Sequence, residues 1–519
     1  MKARMVRRFE RLLKERNRPV KICGSSIAEK NGAVFFAVRE QFRLKLVVIY
    51  YGKASRTIDD FNAEETGRIT TDEAKLKYKI CPCDHRNALA LRRWFSFTRP
   101  QVIGLTPTIG TGDRIGLATP GHIRAVHRYG VTPVLAQQSI REMERTSRSP
   151  RDVIDDVSWS VFQEGYRDGF AADADHVKTE KGIEETFEAG FTMYTIDPSE
   201  YVDDEADRYS LDQLKERFDK LPWGDLACGG DDYPRMYVGR RISVTSDNES
   251  YVLNISFSEQ GLLRAAVKYS AAIAHVVRLK GRLDELFTDG TYDLEISVDE
   301  TSAPTKPLEH LFIALELGRL KIQVHGLALH FVGEFEKAID YIGNLGEFEK
   351  TFRDHALIAR HFGPYKLSIH SGSDKFSIYP IVGRFARDIV HLKTAGTSYL
   401  ESLRIVARHD PSLFRKIVRY SVQNYEKDRK TYHISTELSM IPILDKLEDK
   451  DLEPRFLDDN HGRQLLHVTF GSILTAKASD GEWLFRDRIK RVLIENEEEY
   501  YQTIAIHIGR HIGSIWPTK

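Results

Sequence analysis

Between about residue 100 and residue 400, short runs of β-branched and aliphatic residues alternate with amphipathic stretches of helical periodicity. This alternation predicts a parallel sheet, because parallel strands require long crossover connections and helices usually form them. The strand-like runs are residues 101–109, 133–137, 169–174, 191–196, 292–298, 322–331, 365–370 and 388–393. Eight β/α repeats in roughly three hundred residues predict an α/β fold built on a closed, TIM-like (β/α)8 barrel.

The main alternative is a doubly wound open sheet, which alternates strands and helices in the same way. Such sheets often carry a Gly-x-Gly-x-x-Gly turn directly after a strand, where it binds a dinucleotide. The segment Gly110-Thr-Gly112 comes closest to this pattern, but its third glycine is not at the required position. The barrel is therefore the favoured fold.

The chain of 519 residues is too long for one ordinary core, so we expect further structure on both sides of the barrel. Residues 1–98 mix strand-like and helical runs and predict a small α/β N-terminal domain. Residues 99–400 would form the barrel, with an insertion rich in Asp and Glu at about 204–257. Residues 401–519 predict a mainly helical C-terminal extension that packs on the barrel.

Charge and composition narrow the class of partner. Lys and Arg together number 76 and Asp and Glu together number 76, so the formal net charge is zero, which argues against nucleic-acid binding. No run approaches the ~20 apolar residues that cross a bilayer, and four cysteines are too few for a disulfide framework. We therefore expect a cytoplasmic protein with a small-molecule partner and no membrane contact; a homo-oligomer stays an open alternative.

Ionisable and amide side chains lie at the predicted carboxyl ends of the strands. In a (β/α)8 barrel these ends converge on one mouth, where the chemistry of such proteins takes place. The strand ends carry Asp113, Arg114, Gln137, Gln138, Asp173, Asp175, His176, Lys178, Asp197, Asp299, Glu300, His330, His370, Asp374, Lys375 and Lys393. So many polar groups aimed at one point predict an enzymatic site there.

The densest of these strand ends is His370-Ser-Gly-Ser-Asp-Lys375. Its Ser-Gly-Ser turn exposes backbone N–H groups and Lys375 adds a positive charge, so the loop predicts binding of a carboxylate or a phosphate. The alternative is an ordinary βα loop with a capped helix start and a structural histidine.

A second dense segment is Asp173-Ala-Asp175-His176-Val-Lys178, with four ionisable groups in six residues. An imidazole beside carboxylates suits a divalent cation such as Mn²⁺, Zn²⁺, Co²⁺ or Ni²⁺. The alternative is a helix-capping aspartate together with a surface salt bridge to Lys178.

Glu295 lies inside the fifth predicted strand, between Leu294 and Ile296. A carboxylate midway along a barrel strand is costly to bury, so it needs a partner or a purpose. Burial tends to raise the pKa of such a group, which suits a general acid or base. The alternative is a structural ion pair with a lysine of the barrel.

Several strings resemble the bacterial tagaturonate epimerase family. They are GTGDRIG at 110–116, AQQS at 136–139, ADADH at 172–176, FTMYTIDPS at 191–199, SVDET at 297–301, SIHSGSDKFS at 368–377, KTAGTSYL at 393–400, YHIS at 432–435 and RQLLH at 463–467. The resemblance therefore runs from about residue 100 to residue 467. It implies a metal-dependent isomerase, a carbohydrate epimerase that interconverts D-tagaturonate and D-fructuronate in hexuronate catabolism.

The resemblance also implies roles for individual residues. Asp175 would be the catalytic base and Glu295 the catalytic acid. His176 and His370 would bind the divalent metal ion, and the third ligand would come from the sixth-strand segment. Either Glu334 or His330 could be that ligand, and Glu334 is the first candidate. The expected substrate-binding residues are Arg114, Gln138, Lys178 and Lys375, and the lysines and Arg114 are the candidates for the carboxylate of the keto-sugar acid.

The reaction itself restricts the mechanism. The carbon that is inverted lies β to the ketone, so one enolisation cannot change its configuration. Hydride transfer would need a nicotinamide, for which no fingerprint is present, so we favour retro-aldol cleavage and re-addition through an enediolate. A related metal-dependent keto-sugar isomerase, a ketohexose 4-epimerase, a class II-like aldolase and a sugar-acid binding protein without turnover are the alternatives.

Overall fold

A computed structural model describes residues 2–51, 56–70, 75–245 and 251–517 of the chain. The strands are β1 Lys21–Ile22, β2 Ala28–Lys30, β3 Ala33–Glu40, β4 Arg43–Tyr51, β5 Glu65–Thr70, β6 Lys75–Pro82, β7 Thr108–Gly110, β8 Thr132–Ser139, β9 Ala171–Val177, β10 Met193–Ile196, β11 Arg241–Thr245, β12 Val252–Ser256, β13 Asp293–Val298, β14 Gly326–Leu329, β15 Lys366–Ile369 and β16 Val390–Lys393. The helices are α1 Lys2–Glu15, α2 His85–Trp94, α3 Thr119–Tyr129, α4 Ile140–Thr146, α5 Pro150–Glu164, α6 Glu180–Ala189, α7 Leu211–Asp219, α8 Asp232–Tyr237, α9 Glu259–Leu286, α10 Pro307–Arg319, α11 Leu345–Phe362, α12 Tyr379–Ala386, α13 Ser398–His409, α14 Pro411–Asp428, α15 Asn460–Val468, α16 Phe470–Thr475, α17 Arg486–Glu495 and α18 Glu497–Ile515.

The N-terminal segment forms an antiparallel sheet in the order β1-β3-β4-β6-β5, with β2 paired to β3. Successive side chains of a strand point to opposite faces, so β3 buries both of its faces. Phe36 packs against Phe9 of α1 with ring centroids 5.7 Å apart, whereas Phe35 on the other face packs against Trp94 of α2. Phe162 of α5 belongs to the same cluster as Phe35, so this sheet rests on the helical exterior of the barrel.

The barrel predicted from the sequence is confirmed. The strands β7, β8, β9, β10, β13, β14, β15 and β16 are parallel, each pairs with the next, and β16 pairs with β7 to close the ring. Polar side chains of the strands meet inside the ring, as β13 illustrates: Leu294 and Ile296 pack in the core beneath the helices, whereas Glu295 lies beside Lys393 of β16. Closure therefore brings residues of β13 and β16 together although they are about a hundred positions apart in the chain.

The first barrel strand is shorter than predicted and covers only Thr108–Gly110. The residues before it close the amino-terminal end of the barrel instead. The backbone N–H groups of Ile103 and Gly104 donate to the carboxylate of Asp293 at the start of β13, over 2.8–3.1 Å. Ile103 also packs against an apolar cluster formed by Val134, Ala171 and Met193. Ile103 therefore covers this end of the barrel without extending the sheet, whereas Val102 and Leu105 are exposed.

The segments outside the barrel pack on its helices. Within the insertion, Tyr233 of α8 donates its hydroxyl to Glu316 of α10, and β11 pairs with β12 as a separate two-stranded antiparallel sheet. On another side of the barrel, the C-terminal helix α18 packs against α3, α12 and α13. The division of the chain at residues 98 and 400 stays a prediction. Among the described residues, no helix is both long enough and apolar enough to cross a bilayer.

Candidate active site

A pocket of about 550 Å³ opens at the carboxyl ends of the barrel strands. This volume is typical of pockets that hold a small organic molecule. The ionisable and amide side chains that line it are Arg114, Gln137, Arg141, Glu142, Asp175, His176, Asp299, Glu300, His330, Glu334, Lys337, His370, Lys393, His433 and His467. The last two belong to the C-terminal extension, so the pocket is formed by the barrel and the extension together.

Lys393, the last residue of β16, lies at the centre of the polar groups beneath this pocket. Its Nζ lies 2.6 Å from Asp175 Oδ1, 2.9 Å from Asp173 Oδ2 and 2.8 Å from Glu295 Oε1, and all four side chains are buried. Burial alone would lower the pKa of Lys393, but the three carboxylates outweigh it and raise this pKa well above its usual value. One permanent cation therefore holds together three carboxylates of two strands, Asp173 and Asp175 of β9 and Glu295 of β13.

Asp175 and Asp173 share this lysine but have opposite pKa shifts. Burial acts to raise the pKa of Asp175, yet Lys393 and two imidazoles outweigh it, and the pKa is lowered to about 2. Burial prevails at Asp173, and its pKa is raised to about 6 even though Lys393 opposes the rise. Asp175 is also held by Gln137, whose Nε2 donates to Oδ2 over 2.8 Å. Asp175 is therefore an ionised carboxylate at the pocket, which is the form that a base requires.

Glu295 lies under the pocket floor and does not line the pocket. His370 donates from Nε2 to Glu295 Oε1 over 2.8 Å, and Oε2 has no hydrogen-bond partner among the described residues. The expectation that its pKa rises is wrong: burial does act in that direction, but Lys393 and His370 outweigh it, and the pKa is lowered well below its usual value. The ion pair with a barrel lysine, which was the alternative for Glu295, is present.

His176 and His370 face each other across the mouth, with ring centroids 4.9 Å apart. His176 has a φ of 52°, in the left-handed region that non-glycine residues rarely occupy, at the end of β9. Its Nδ1 lies 3.0 Å from Asp197 Oδ2, which leaves Nε2 as the free nitrogen. In His370 the Nε2 is held by Glu295, and Nδ1 lies 3.1 Å from Asp299 Oδ1 without a hydrogen-bond partner among the described residues. Carboxylates that hold the second nitrogen of an imidazole are typical of histidines that bind metals.

The residues present fit a divalent cation. One ligand atom each of Asp175, His176 and His370 lie within 4.8 Å of one another, and this nitrogen and oxygen set suits Mn²⁺, Zn²⁺, Co²⁺ or Ni²⁺. Burial opposes protonation of both histidines, but the carboxylates around them raise the pKa of His176 and raise that of His370 to about 10. Such a concentration of negative charge attracts a cation, which would take the place of these protons.

His330 and Glu334, the two candidates for the third ligand, both line the pocket. Neither belongs to the group formed by Asp175, His176 and His370. His330 Nδ1 lies 2.9 Å from the carbonyl oxygen of Thr301 and so can donate to it, which leaves Nε2 for another partner. Glu334 is exposed and pairs with His433, whose Nε2 lies 2.9 Å from Oε2. The position of His330 is thus the more suitable for a ligand, while the identity of the third ligand stays a prediction.

The expected substrate-binding residues are not all brought to the pocket. Arg114 lines it, although Nε and Nη2 both donate to Glu142 and its guanidinium lies 3.7 Å from the centroid of Phe470. Lys178 lies outside the lining and pairs with Asp197 at 3.5 Å. Gln138 also lies outside, because successive residues of a strand alternate and Gln137 takes the inward position.

Lys375 is buried beneath the loop that follows β15, and it does not line the pocket. Its Nζ donates to the carbonyl oxygens of Glu336, Ile339 and Ser373 over 2.5–3.1 Å. Burial lowers the pKa of Lys375 to about 7. With all three donors occupied by backbone, this ammonium holds two loops together.

Several residues that line the pocket are not among the catalytic, metal-binding or substrate-binding residues expected from the sequence. Gln137, Asp299 and Lys393 stand at strand ends, and the alternation of a strand would have selected Gln137 over Gln138. The string RQLLH, at 463–467, ends in His467, so a signal for that residue was present. Arg141 and Lys337 lie in a helix and a loop after the strands and carry no local signal.

Comparison with known proteins agrees with this geometry. The model of a family described as tagaturonate epimerase matches residues 23–515. A protein of Thermotoga maritima named tagaturonate/fructuronate epimerase is 41% identical over 487 residues, which cover 94% of this chain and 95% of that one.

Solved structures give the same result. The native crystal structure of a fructuronate-tagaturonate epimerase from Cohnella laeviribosi is 38% identical, covers 98% of this chain and 99% of its own, and superposes with a TM-score of 0.87. A structure of that enzyme with one glycerol covers 99% of both chains with a TM-score of 0.86. The chain therefore belongs to the tagaturonate epimerase family, a family of carbohydrate epimerases.

Proposed function

We propose that the protein interconverts D-tagaturonate and D-fructuronate by inverting the carbon β to their ketone. The observation that carries this proposal is the arrangement at the pocket floor, where an ionised carboxylate, Asp175, adjoins two histidines and one buried lysine. This arrangement combines a base with a site for a cation in a pocket of about 550 Å³, large enough for a six-carbon acid. The relatives named above act on the same pair of compounds.

A cation bound at the pocket would balance the negative charge that develops on the substrate. His176 and His370 would hold a Mn²⁺, Zn²⁺, Co²⁺ or Ni²⁺ ion, with His330 or Glu334 as a further ligand. When bound, this ion supplies positive charge that stabilises the negative charge left on the keto oxygen and the neighbouring hydroxyl oxygen during cleavage. Asp197 and Glu295 hold the second nitrogens of the two imidazoles and orient the rings.

Proton transfer is assigned to Asp175 and Glu295. Asp175 takes the proton of the hydroxyl on the carbon to be inverted, the bond from that carbon to its neighbour on the ketone side breaks, and the electron pair enters the enediolate. The resulting aldehyde rotates, the bond forms again on the opposite face, and the new alkoxide receives a proton. Glu295 does not touch the pocket, so it acts through Lys393, whose Nζ lies within 2.8 Å of both carboxylates.

The experiment that tests the function is an incubation with D-tagaturonate, followed by NMR. Chelated protein should be inactive, and restoring a divalent cation should produce D-fructuronate with no free aldehyde. Absence of fructuronate with every divalent metal would overturn the proposal, and accumulation of aldehyde and enol fragments would identify an aldolase instead.

Two variants test the proton transfer. Asp175→Asn and Glu295→Gln should each lower kcat by roughly 10²–10⁴-fold while the protein stays folded, since general acid–base catalysis contributes effects of this size. Near-normal turnover in either variant, with the metal still bound, would show that the residue has another role.

The compartment is also a proposal. The four cysteines, Cys23, Cys81, Cys83 and Cys228, are all free thiols. Burial raises the pKa of Cys81 to about 12, so this thiol is unreactive. Free thiols are typical of proteins in the reducing cytoplasm, which is where we place this enzyme.

A further inference from the structure

Four lysine and arginine side chains line the pocket within the part of the chain that the structure describes: Arg114, Arg141, Lys337 and Lys393. Two of them are neutralised by the protein itself. Lys393 is in contact with three carboxylates, and Arg114 donates twice to Glu142. A substrate carboxylate would therefore be stabilised mainly by the other two side chains, Arg141 and Lys337.

Lys337 is the cation of this pocket with the least compensation. Its Nζ donates to the hydroxyl of Ser371, and no carboxylate of the described residues forms an ion pair with it. Burial lowers the pKa of Lys337 and the neighbouring charge of Arg141 adds to this effect, which the more distant carboxylates of Asp299, Glu300 and Glu142 only partly offset. A partly desolvated ammonium without a counter-ion is costly, so an anion that binds beside it is strongly favoured.

Arg141 and His467 add polar groups to the same side of the pocket. Arg141 forms only a loose pair with Glu300, at 3.6 Å, in which both side chains are well exposed. His467 is buried, and its Nδ1 has no hydrogen-bond partner among the described residues. Burial, together with Arg114 and Lys337, lowers the pKa of His467 well below its usual value, so its ring is neutral. A neutral imidazole has one N–H group to donate.

His467 reaches the pocket wall because residue 396 is a glycine. A Cβ at Gly396 would lie 2.2 Å from His467 Cε1 and 3.0 Å from Arg114 Nη2. The first distance is too short for a real contact, so any side chain at position 396 would displace the His467 ring.

We propose that Lys337, supported by Arg141 and His467, binds the carboxylate of the substrate and thereby selects sugar acids over neutral ketohexoses. The inference rests on the proposed function, because it concerns the substrate of that same site. Ser371, which accepts from Lys337, follows His370 directly, so the anion site adjoins the histidines. In a keto-hexuronate the carboxylate is two carbons from the inverted carbon, and both groups must therefore bind close together.

Lys337→Met tests the proposal, because it keeps the length of the side chain and removes its charge. We expect kcat/KM for D-tagaturonate to fall by about 100-fold, mainly through KM, because removal of one partner from a partly buried charged pair has effects of this size. The rate with D-tagatose, in which a hydroxymethyl group replaces the carboxylate, should change by less than about threefold. Lys337→Arg should retain most of the preference for the acid.

The matched control is Lys280→Met on α9. Lys280 is also mostly covered, pairs with Asp284 at 2.7 Å and lies outside the pocket, so this variant should leave both rates unchanged. Equal losses with the acid and with the neutral sugar in Lys337→Met, or no loss with either, would overturn the proposal.

Calorimetric binding separates this inference from the proposed function. Titration of D-fructuronate into the wild type and into Lys337→Met requires no turnover. Weaker binding of the acid by the variant would support the carboxylate site even if no epimerisation occurred. Equal affinities, or no binding of the acid by the wild type, would refute it.

Discussion

At the scale of single residues, the site depends on the charge of Lys393. Three carboxylates within 2.9 Å of one ammonium are tolerable only because that ammonium is present, since isolated buried carboxylates are very costly. The same ammonium keeps Asp175 ionised. The stability of the site and the ionised state of the proposed base therefore depend on the same ammonium group.

We predict that Lys393→Met both destabilises the protein and abolishes epimerisation. Removing one partner of a buried ion pair costs about 3–5 kcal/mol, because the remaining charges are left without compensation. Urea unfolding followed by circular dichroism gives the loss in stability, and NMR of the reaction with D-tagaturonate gives the loss in turnover.

Lys366→Met is the matched control for this variant. Lys366 is also a buried lysine of a barrel strand, but its Nζ donates to the carbonyl oxygen of Thr106, at 3.3 Å, and forms no ion pair among the described residues. We expect a much smaller loss of stability and a retained activity. If both lysine variants lost the same amount, burial of any lysine, rather than the three carboxylates, would explain the effect.

The candidate site was only partly predictable from the sequence, and the reason differs from residue to residue. Asp175, His176 and His370 follow strands, so their convergence could be expected from the barrel alone. Lys375 also follows a strand, but the backbone after Ser373 turns. The Lys375 side chain therefore lies beneath the loop and donates to three carbonyl oxygens. Lys337 could not be found, since nothing local indicates that its segment folds back over the mouth.

At the scale of elements, the contact between α3 and α18 attaches the C-terminal extension to the barrel. Gly121 of α3 lies in this contact. A Cβ there would lie 2.6 Å from Ile504 Cβ and 2.9 Å from the carbonyl oxygen of Tyr501. The two helix backbones can therefore approach this closely only because position 121 has no side chain.

We predict that Gly121→Ala lowers the free energy of unfolding by about 1–3 kcal/mol, the usual cost of overpacking a rigid contact. The same substitution at Gly318, in α10, should have the opposite sign. No atom lies within 4 Å of a Cβ at Gly318, and alanine is favoured over glycine in helices by about 0.5–1 kcal/mol. Denaturant midpoints of both variants test this prediction. A destabilised Gly318→Ala would show that the free space around the new Cβ does not decide whether the substitution stabilises the protein.

The existence of the eight strands was predictable, whereas their ends were not. Hydrophobic runs do not distinguish a strand from a segment that covers the end of a sheet. In 101–107, Ile103 packs against a cluster at the start of the strands, whereas Val102 and Leu105 are exposed. The first strand was therefore placed too early, because the interaction of Ile103 with Asp293 joins positions 190 residues apart.

At the scale of the whole molecule, the C-terminal extension completes the active site. His467 and His433 line the pocket, and Arg463 donates to Asp374 over 2.8 Å in the loop that follows His370. From the other side, the backbone N–H of Asp374 donates to His511 Nε2 of α18 over 2.9 Å. The loop that carries His370 is thus fixed by two helices of the extension, and a ligand bound at this loop is linked to the stability of the entire chain.

This linkage predicts that a divalent cation raises the melting temperature. A ligand at 100 times its Kd stabilises the folded state by about 2.7 kcal/mol, and unfolding entropies of about 2.1 cal/mol/K per residue convert this into a rise of roughly 2–3 °C for 519 residues. Calorimetry of chelated protein with Mn²⁺, Zn²⁺, Co²⁺ or Ni²⁺ measures it. The variant with both His176→Ala and His370→Ala should lose the rise, whereas His409→Ala, a surface histidine paired with Glu499, should keep it. A rise that survives in the double variant would place the cation elsewhere, and no rise with any metal would argue against a cation site at these histidines.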